Sequence, residues 1–382
     1  MRLLASSVFV TLALGICANA FAGPSVFILN HAPCSTLLSS ARTVPSGTEV
    51  ALFDDDFKGI HQLDEKTLAK GYPKVDQVFN FRTNPEKSTA GFAQPSENGI
   101  KSVLKTFDAG PEGAKEVLFF DLREEPVLFI DGKTYDFRAF NHPSLNLFLT
   151  GISPEKLDLL EQSMKAQLLE TASKNGGKIL IRRETGPALE LSVDATAVKT
   201  TKETFEKITA EGYRVKFERV PITDQNSPEL SDVESILNSI AAHPESARTF
   251  HCHFGFGRTT TGMVISALHD HAADFALSSV VTDEMRSVRA IPKIKAFAKA
   301  LGFTEHDFQV LDAATTSSGF PLDMPVDLLE KQKAHNSKYP AALKRYLTLM
   351  ATAKYLEKPR ALPFRQWIRV QPEAARLLIL SK

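Results

Sequence analysis

Apolar positions along the chain fall into short runs of strand length that alternate with longer stretches of helical spacing. Val78-Phe-Asn-Phe-Arg82 is a short strand that ends in an arginine, and Glu116-Val-Leu-Phe-Phe-Asp-Leu-Arg-Glu124 is a buried-type strand that runs into Asp121, Arg123, Glu124 and Glu125. Residues 127–140 alternate apolar and polar around Asp131-Gly132, which predicts a hairpin. A helix from Pro154 ends at Asn175-Gly-Gly177 and a strand follows over Lys178–Arg183. Next come a helix over Thr201–Gly212, a strand over Tyr213–Val220 and a helix over Leu230–Ala242. Ala247–Phe250 reads as a strand, and Met263, Val264, Ala267 and Leu268 set a helix from Arg258 to about Phe275. From there the chain is largely helical, with amphipathic stretches over Val281–Gly302 and Ala341–Leu356, whereas residues 24–70 show no clear period. The alternation predicts an α/β fold: a central sheet with helices on both faces, and a small β subdomain around 125–150.

The chemistry concentrates at Ala247–Thr261, Ala-Arg-Thr-Phe-His-Cys-His-Phe-Gly-Phe-Gly-Arg-Thr-Thr-Thr. A strand that passes through a glycine-bearing turn into a helix N-terminus makes an anion site, because unpaired N–H groups and the positive end of the helix dipole converge there. Gly255 and Gly257 permit the backbone angles that turn successive N–H groups of His253, Phe254 and Phe256 inward as a nest. Arg258 adds a planar, permanently charged fork for two phosphate oxygens. Cys252, with His251 before it, sits at the mouth of this positive field, the setting in which a thiol becomes a nucleophilic thiolate. His251, Cys252 and His253 as metal ligands are disfavoured, since neighbours on a strand point to opposite faces; neither a metal nor a cofactor is expected. Attack on phosphorus also needs an acid for the departing oxygen, and Asp224, on the loop after the Tyr213–Val220 strand, can supply it.

Arg2, the apolar run Leu3–Ile16 and the small residues Ala18, Ala20 and Ala22 read as a secretory signal peptide over residues 1–22, which implies a periplasmic or secreted product with no membrane span. Residues 23–382 then form the phosphatase-like domain. With 45 basic and 45 acidic residues, the chain lacks the excess positive charge of a nucleic-acid binder, so phosphate recognition must be local. Cys34 and Cys252 remain once the signal is removed. Burial of Cys34 is the default, and its pairing with Cys252 stays open, as does the oligomeric state.

These residues resemble the protein-tyrosine-phosphatase-like phytases, bacterial inositol polyphosphatases of the cysteine phosphatase superfamily. The resemblance is carried by Phe79-Asn-Phe-Arg-Thr83, Phe120-Asp-Leu-Arg-Glu-Glu125 with its hairpin, Thr223-Asp224, His251-Cys252 through Arg258-Thr-Thr260, and Pro363-Phe-Arg-Gln-Trp367. It implies a phosphatase-like central sheet and hydrolysis of phosphorylated small molecules, inositol phosphates such as phytate, through a phosphocysteine on Cys252. It further implies that Asp224 is the general acid, that Thr259 stabilises the thiolate, and that Arg82, Asp121, Lys331, Lys333 and Lys338 contact neighbouring phosphates. His253 stands where the family commonly has Glu or Lys, and Phe254 and Phe256 are bulkier than usual. All three are expected at the pocket rim, with His253 a source of pH dependence near 6 to 7. Two other readings are a protein tyrosine or dual-specificity phosphatase, such as a secreted effector, and a phosphate-binding module without turnover.

Overall fold

The computed structural model describes residues 28–29, 50–55, 74–84, 86, 88–139, 146–147, 149–183, 186–271, 299, 302–319, 339–357, 361–372 and 375. The expected signal peptide, Cys34, Lys331, Lys333 and Lys338 lie outside the described residues.

The central sheet consists of β3 (Arg82–Thr83), β4 (Thr89–Ala93), β5 (Val117–Arg123), β11 (Val215–Ile222) and β12 (Ala247–Cys252), in the order β11-β5-β12-β4-β3. Its four longer strands are parallel, and β3 runs antiparallel to β4. Period-two alternation sends β5 side chains to two different cores. Leu118, Phe120 and Leu122 join Phe250 beneath α4 (Leu230–Ala242), α5 (Gly257–His271), α6 (Glu305–Ser317), α7 (Tyr339–Leu356) and α8 (Phe364–Val370). Val117 and Phe119 join Phe92 against α1 (Glu97–Thr106) and α3 (Thr201–Ala210) on the other face. Phe120 and Phe250 stack with ring centroids 4.7 Å apart, and each fully buried ring contributes roughly 1.5–3 kcal/mol. Gly262 lets α5 approach this pair so closely that a Cβ there would collide with the Phe250 ring.

A second, antiparallel sheet contains β1 (Ile28–Leu29), β2 (Val50–Asp54), β6 (Val127–Ile130), β7 (Lys133–Ala139) and β10 (Val198–Thr200), in the order β1-β2-β7-β6-β10. α2 (Pro154–Lys174) covers it with Leu157, Leu160, Met164 and Leu168, a stripe at helical spacing. β8 (Lys178–Ile181) and β9 (Leu189–Ser192) make a separate two-stranded ribbon. This sheet recruits strands from well outside residues 125–150. β2 gave no periodic signal because Val50, Ala51, Leu52 and Phe53 are all buried, so the run does not alternate.

The ladders align Phe250 with Phe120, His251 with Asp121 and Cys252 with Ala93. The carboxyl ends of β4, β5, β11 and β12 therefore lie along one edge, where an open α/β sheet gathers its ligands.

Candidate active site

β12 ends at Cys252 and α5 begins at Gly257, leaving a four-residue turn to reverse the chain. Three donors pull its carbonyls the same way. Gln94 N–H donates to His253 O at 3.0 Å, Asn80 Nδ2 to Phe254 O at 2.8 Å and Arg82 Nη1 to Gly255 O at 2.8 Å. In a trans peptide the N–H points opposite to the carbonyl, so the next three N–H groups are turned to the inside of the loop. Gly255 has φ of 77°, and a Cβ there would lie 2.5 Å from Ala93 N, so no other residue fits without displacing β4.

Cys252 is buried, and Thr259 Oγ1 donates to its Sγ at 3.1 Å from the first turn of α5. The Arg258 guanidinium is fixed on two sides. Its Nη1 donates to Ile222 O at 3.1 Å and pairs with both Glu125 oxygens at 3.0 Å. Nη2 lies 3.4 Å from Asp224 Oδ1, and the other Asp224 oxygen accepts from Asn146 Nδ2 at 3.1 Å. Burial pushes the Asp224 carboxyl upward, but the Arg258 charge, with the Asn146 bond, outweighs it and holds the group below its ordinary range. The turn thus gathers a thiol at the end of β12, backbone donors, and an arginine fork at the start of α5 that meets the Asp224 carboxylate.

Behind the loop lies a buried ionic network between the two sheets. Arg123 pairs with Asp55 at 2.9 Å, Asp136 at 3.1 Å and Glu125 at 3.2 Å, and Arg138 pairs with Asp136 at 2.9 Å. Burial opposes the charge on Arg123, yet these three carboxylates outweigh it and keep the guanidinium ionised. Through Glu125 the network reaches Arg258, and through Asp55 it reaches His253. Asp55, Asp136 and His253 bring one ligand atom each within 4.8 Å of one another, but Arg123 and Arg138 already pair with both carboxylates, so guanidinium groups supply the positive charge there.

Several side chains differ from expectation. Arg82 is fully buried, and besides Gly255 it donates to Ser318 O at 3.0 Å, Asn80 O at 3.2 Å and Thr260 Oγ1 at 2.9 Å. Its donors hold the loop from behind instead of meeting neighbouring phosphates. Asp121 is likewise buried, accepting Arg123 N at 3.0 Å and lying 3.5 Å from Arg219 and 3.6 Å from His251. Alternation along β5 puts Asp121 on the same face as Val117 and Phe119, among buried side chains. His251 is buried between Phe92 and Phe119, and burial lowers it to about 4. His253 is not at a rim. It is buried, with Nε2 2.8 Å from Asp55 Oδ1, and burial followed by Arg123 holds it well below its ordinary value. As a neutral ring beside a carboxylate it acts as the Nε2–H donor. Phe254 and Phe256 are half-buried. Trp367 packs on Tyr355 and Phe364, within the helical layer.

Asn80, Gln94 and Asn146, together with Arg345, which donates to Asn226 O at 2.7 Å, carried no sequence signal. They are isolated polar residues far from the motif, and only the register of the sheets brings them to it. The charged cluster after β5 was visible, and Arg123 and Glu125 within it form an ion-pair network.

Residues 120–269 match the family model described as "PTPlike_phytase: Inositol hexakisphosphate". Paladin of Homo sapiens is 30% identical over 195 residues, 50% of this chain and 20% of that protein, and Paladin of Xenopus tropicalis is 28% identical over 240 residues, 61% and 26% respectively. The chain thus spans about a fifth to a quarter of the length of these curated relatives. Among solved structures, a PTP-like phytase from Bdellovibrio bacteriovorus superposes with a TM-score of 0.51 at 17% identity, covering 79% of this chain and 97% of that one. A PTP-like myo-inositol phosphatase from Mitsuokella multacida, in complex with myo-inositol-(1,3,4,5)-tetrakisphosphate, superposes with a TM-score of 0.54 at 16% identity, covering 85% and 48%. Residues 120–269 thus match the PTP-like phytase family model, and the fold built around them is similar to that of the solved PTP-like phytases.

Proposed function

We propose that the protein is an exported cysteine-dependent phosphatase that removes phosphate from inositol polyphosphates, phytate included, through a phosphocysteine intermediate. The observation that carries this reading is the convergence of Cys252, Arg258 and Asp224: Thr259 supports the sulfur at 3.1 Å, and Arg258 meets the carboxylate at 3.4 Å. Cys252 Sγ attacks phosphorus as the P–O bond to the inositol oxygen breaks, and Asp224 delivers its proton to that oxygen. Water, deprotonated by Asp224, then attacks phosphorus, releases inorganic phosphate and returns the thiolate. Arg258 and the loop N–H groups hold the three equatorial oxygens throughout, which is the main demand of phosphoryl transfer.

The inositol phosphate class is supported by the family match and by the tetrakisphosphate bound to the Mitsuokella multacida protein. Lys331, Lys333 and Lys338 are proposed contacts for the outer phosphates, on the strength of the resemblance. Export is proposed from Arg2, the Leu3–Ile16 run and the small residues that follow. The test is phosphate release by the purified protein in reductant from inositol hexakisphosphate and from a phosphotyrosine peptide. Faster turnover of the inositol ester is expected. Activity on the peptide alone would retain the chemistry and reject the substrate, and silence on both would indicate a binding role.

A further inference from the structure

The turn that carries Asp224 is held from three separate elements. Glu124, just after β5, accepts Thr223 Oγ1 at 2.9 Å. Asn146, bridged to Arg138 of β7, donates to Asp224 Oδ2 at 3.1 Å. Arg345 of α7 donates to Asn226 O at 2.7 Å. The turn needs this support, because Gln225 has φ of 59°, a conformation that costs a residue with a Cβ roughly 1–2 kcal/mol.

We propose that Asn146 and Arg345 are positioning residues for the general acid, Asn146 by orienting the carboxylate and Arg345 by fixing the backbone that bears it. The inference rests on reading Asp224 as that acid. Among the described residues, Asp224 has two side-chain anchors, Arg258 on Oδ1 and Asn146 on Oδ2. During turnover the Arg258 fork is engaged by the phosphoryl oxygens, so Asn146 is the anchor that persists while the proton moves. Arg345 also packs on the first residue of α5, where a Cβ on Gly257 would lie 3.3 Å from its Nη1. One guanidinium therefore spans the acid turn and the end of the phosphate loop, and it sets the separation of acid from nucleophile. Displacing such a group by about 1 Å is enough to cost on the order of 100-fold in rate.

Leaving-group dependence tests the proposal without assuming the natural substrate. Protonation matters more for a basic leaving oxygen, so phenyl phosphate depends on the acid more strongly than 4-nitrophenyl phosphate. Asp224→Asn, Asn146→Ala, Arg345→Gln and Arg345→Lys are compared on both esters. The first three are expected to lose about tenfold more kcat/KM on the phenyl ester than on the nitrophenyl ester, and Arg345→Lys to recover part of that difference. Asn146→Asp, which sets a second carboxyl against Asp224, should move the descending limb of the kcat profile to higher pH, a readout that does not depend on the arginine variants folding. Equal losses on both esters in the Asn146 and Arg345 variants, with the bias intact in Asp224→Asn, would overturn the proposal alone. Absence of the bias in Asp224→Asn would overturn the acid reading and the proposal with it.

Discussion

The Arg258 guanidinium and the Asp224 carboxylate lie 3.4 Å apart, Nη2 to Oδ1, so the group proposed to grip the phosphoryl oxygens is also the group that keeps the proposed acid ionised. Burial raises Asp224, and Arg258 outweighs it. A phosphoryl dianion held by Arg258 cancels that influence, and the carboxyl then takes up the proton it must deliver. The descending limb of kcat is therefore expected at higher pH than the descending limb of kcat/KM, since the first reports the complex and the second the free enzyme. Steady-state profiles on one ester check this, and coincident limbs would contradict it.

Glu124 titrates the other way. Burial first, then the neighbouring Glu125, push its carboxyl up to about 8 from 4.5, against the Thr223 bond and Arg258. Its contribution to stability is fully present below the unfolded value and is lost as pH rises towards the folded value. Near pH 7 the loss is on the order of 3 kcal/mol. Glu124→Gln keeps an acceptor for Thr223 and removes the ionisation, so its urea midpoint should exceed that of the wild type at about pH 8 and match it at about pH 4. An equal shift at both pH values would contradict this.

Arg82 should behave as a structural residue. Arg82→Ala strands the carbonyls of Asn80, Gly255 and Ser318 and the Thr260 hydroxyl, all within the interior. Unmade buried bonds cost roughly 1–3 kcal/mol each, so a loss of at least ~3 kcal/mol in urea unfolding is expected, with activity falling as the loop relaxes. A raised KM at unchanged stability would instead return Arg82 to the substrate.

His253 should leave the shape of the rate profile unaltered. It stays neutral through the working range, so His253→Asn is expected to keep every limb between about pH 5 and 8. The same substitution should reduce stability by about 1–3 kcal/mol, because Asp55 loses one of its donors, the Oδ1 bond from His253. It should also flatten the fall in stability that accompanies acidification, where the unfolded chain takes up a proton that the folded chain refuses. A limb lost near pH 6 to 7 would contradict this placement.

Most of the central fold was legible because its strands are short apolar runs and its helices carry clear stops. The Leu230–Ala242 helix and the hairpin at Asp131-Gly132 fall where the pattern puts them. The turn between β12 and α5 was legible because its parts are contiguous: one strand end, two glycines and one helix start. What surrounds it was not. Arg82 and Asp121 carry the charges of ligand contacts, and only the pleat and the register reveal that they face the interior. His253 follows the nucleophile in sequence, yet the turn swings it beneath the second sheet to Asp55, 198 residues away. The second sheet was underestimated because β2 is buried on both faces and β10 has only three residues, too few to show a period.

The most direct test of the whole account is an acid quench during turnover of radiolabelled inositol hexakisphosphate, followed by peptide mapping of the enzyme. Label on the peptide containing Cys252, absent from the Cys252→Ser variant along with phosphate release, is the expected result. Phosphate release that persists in Cys252→Ser, or turnover by the wild type with no label on that peptide, would contradict the cysteine route.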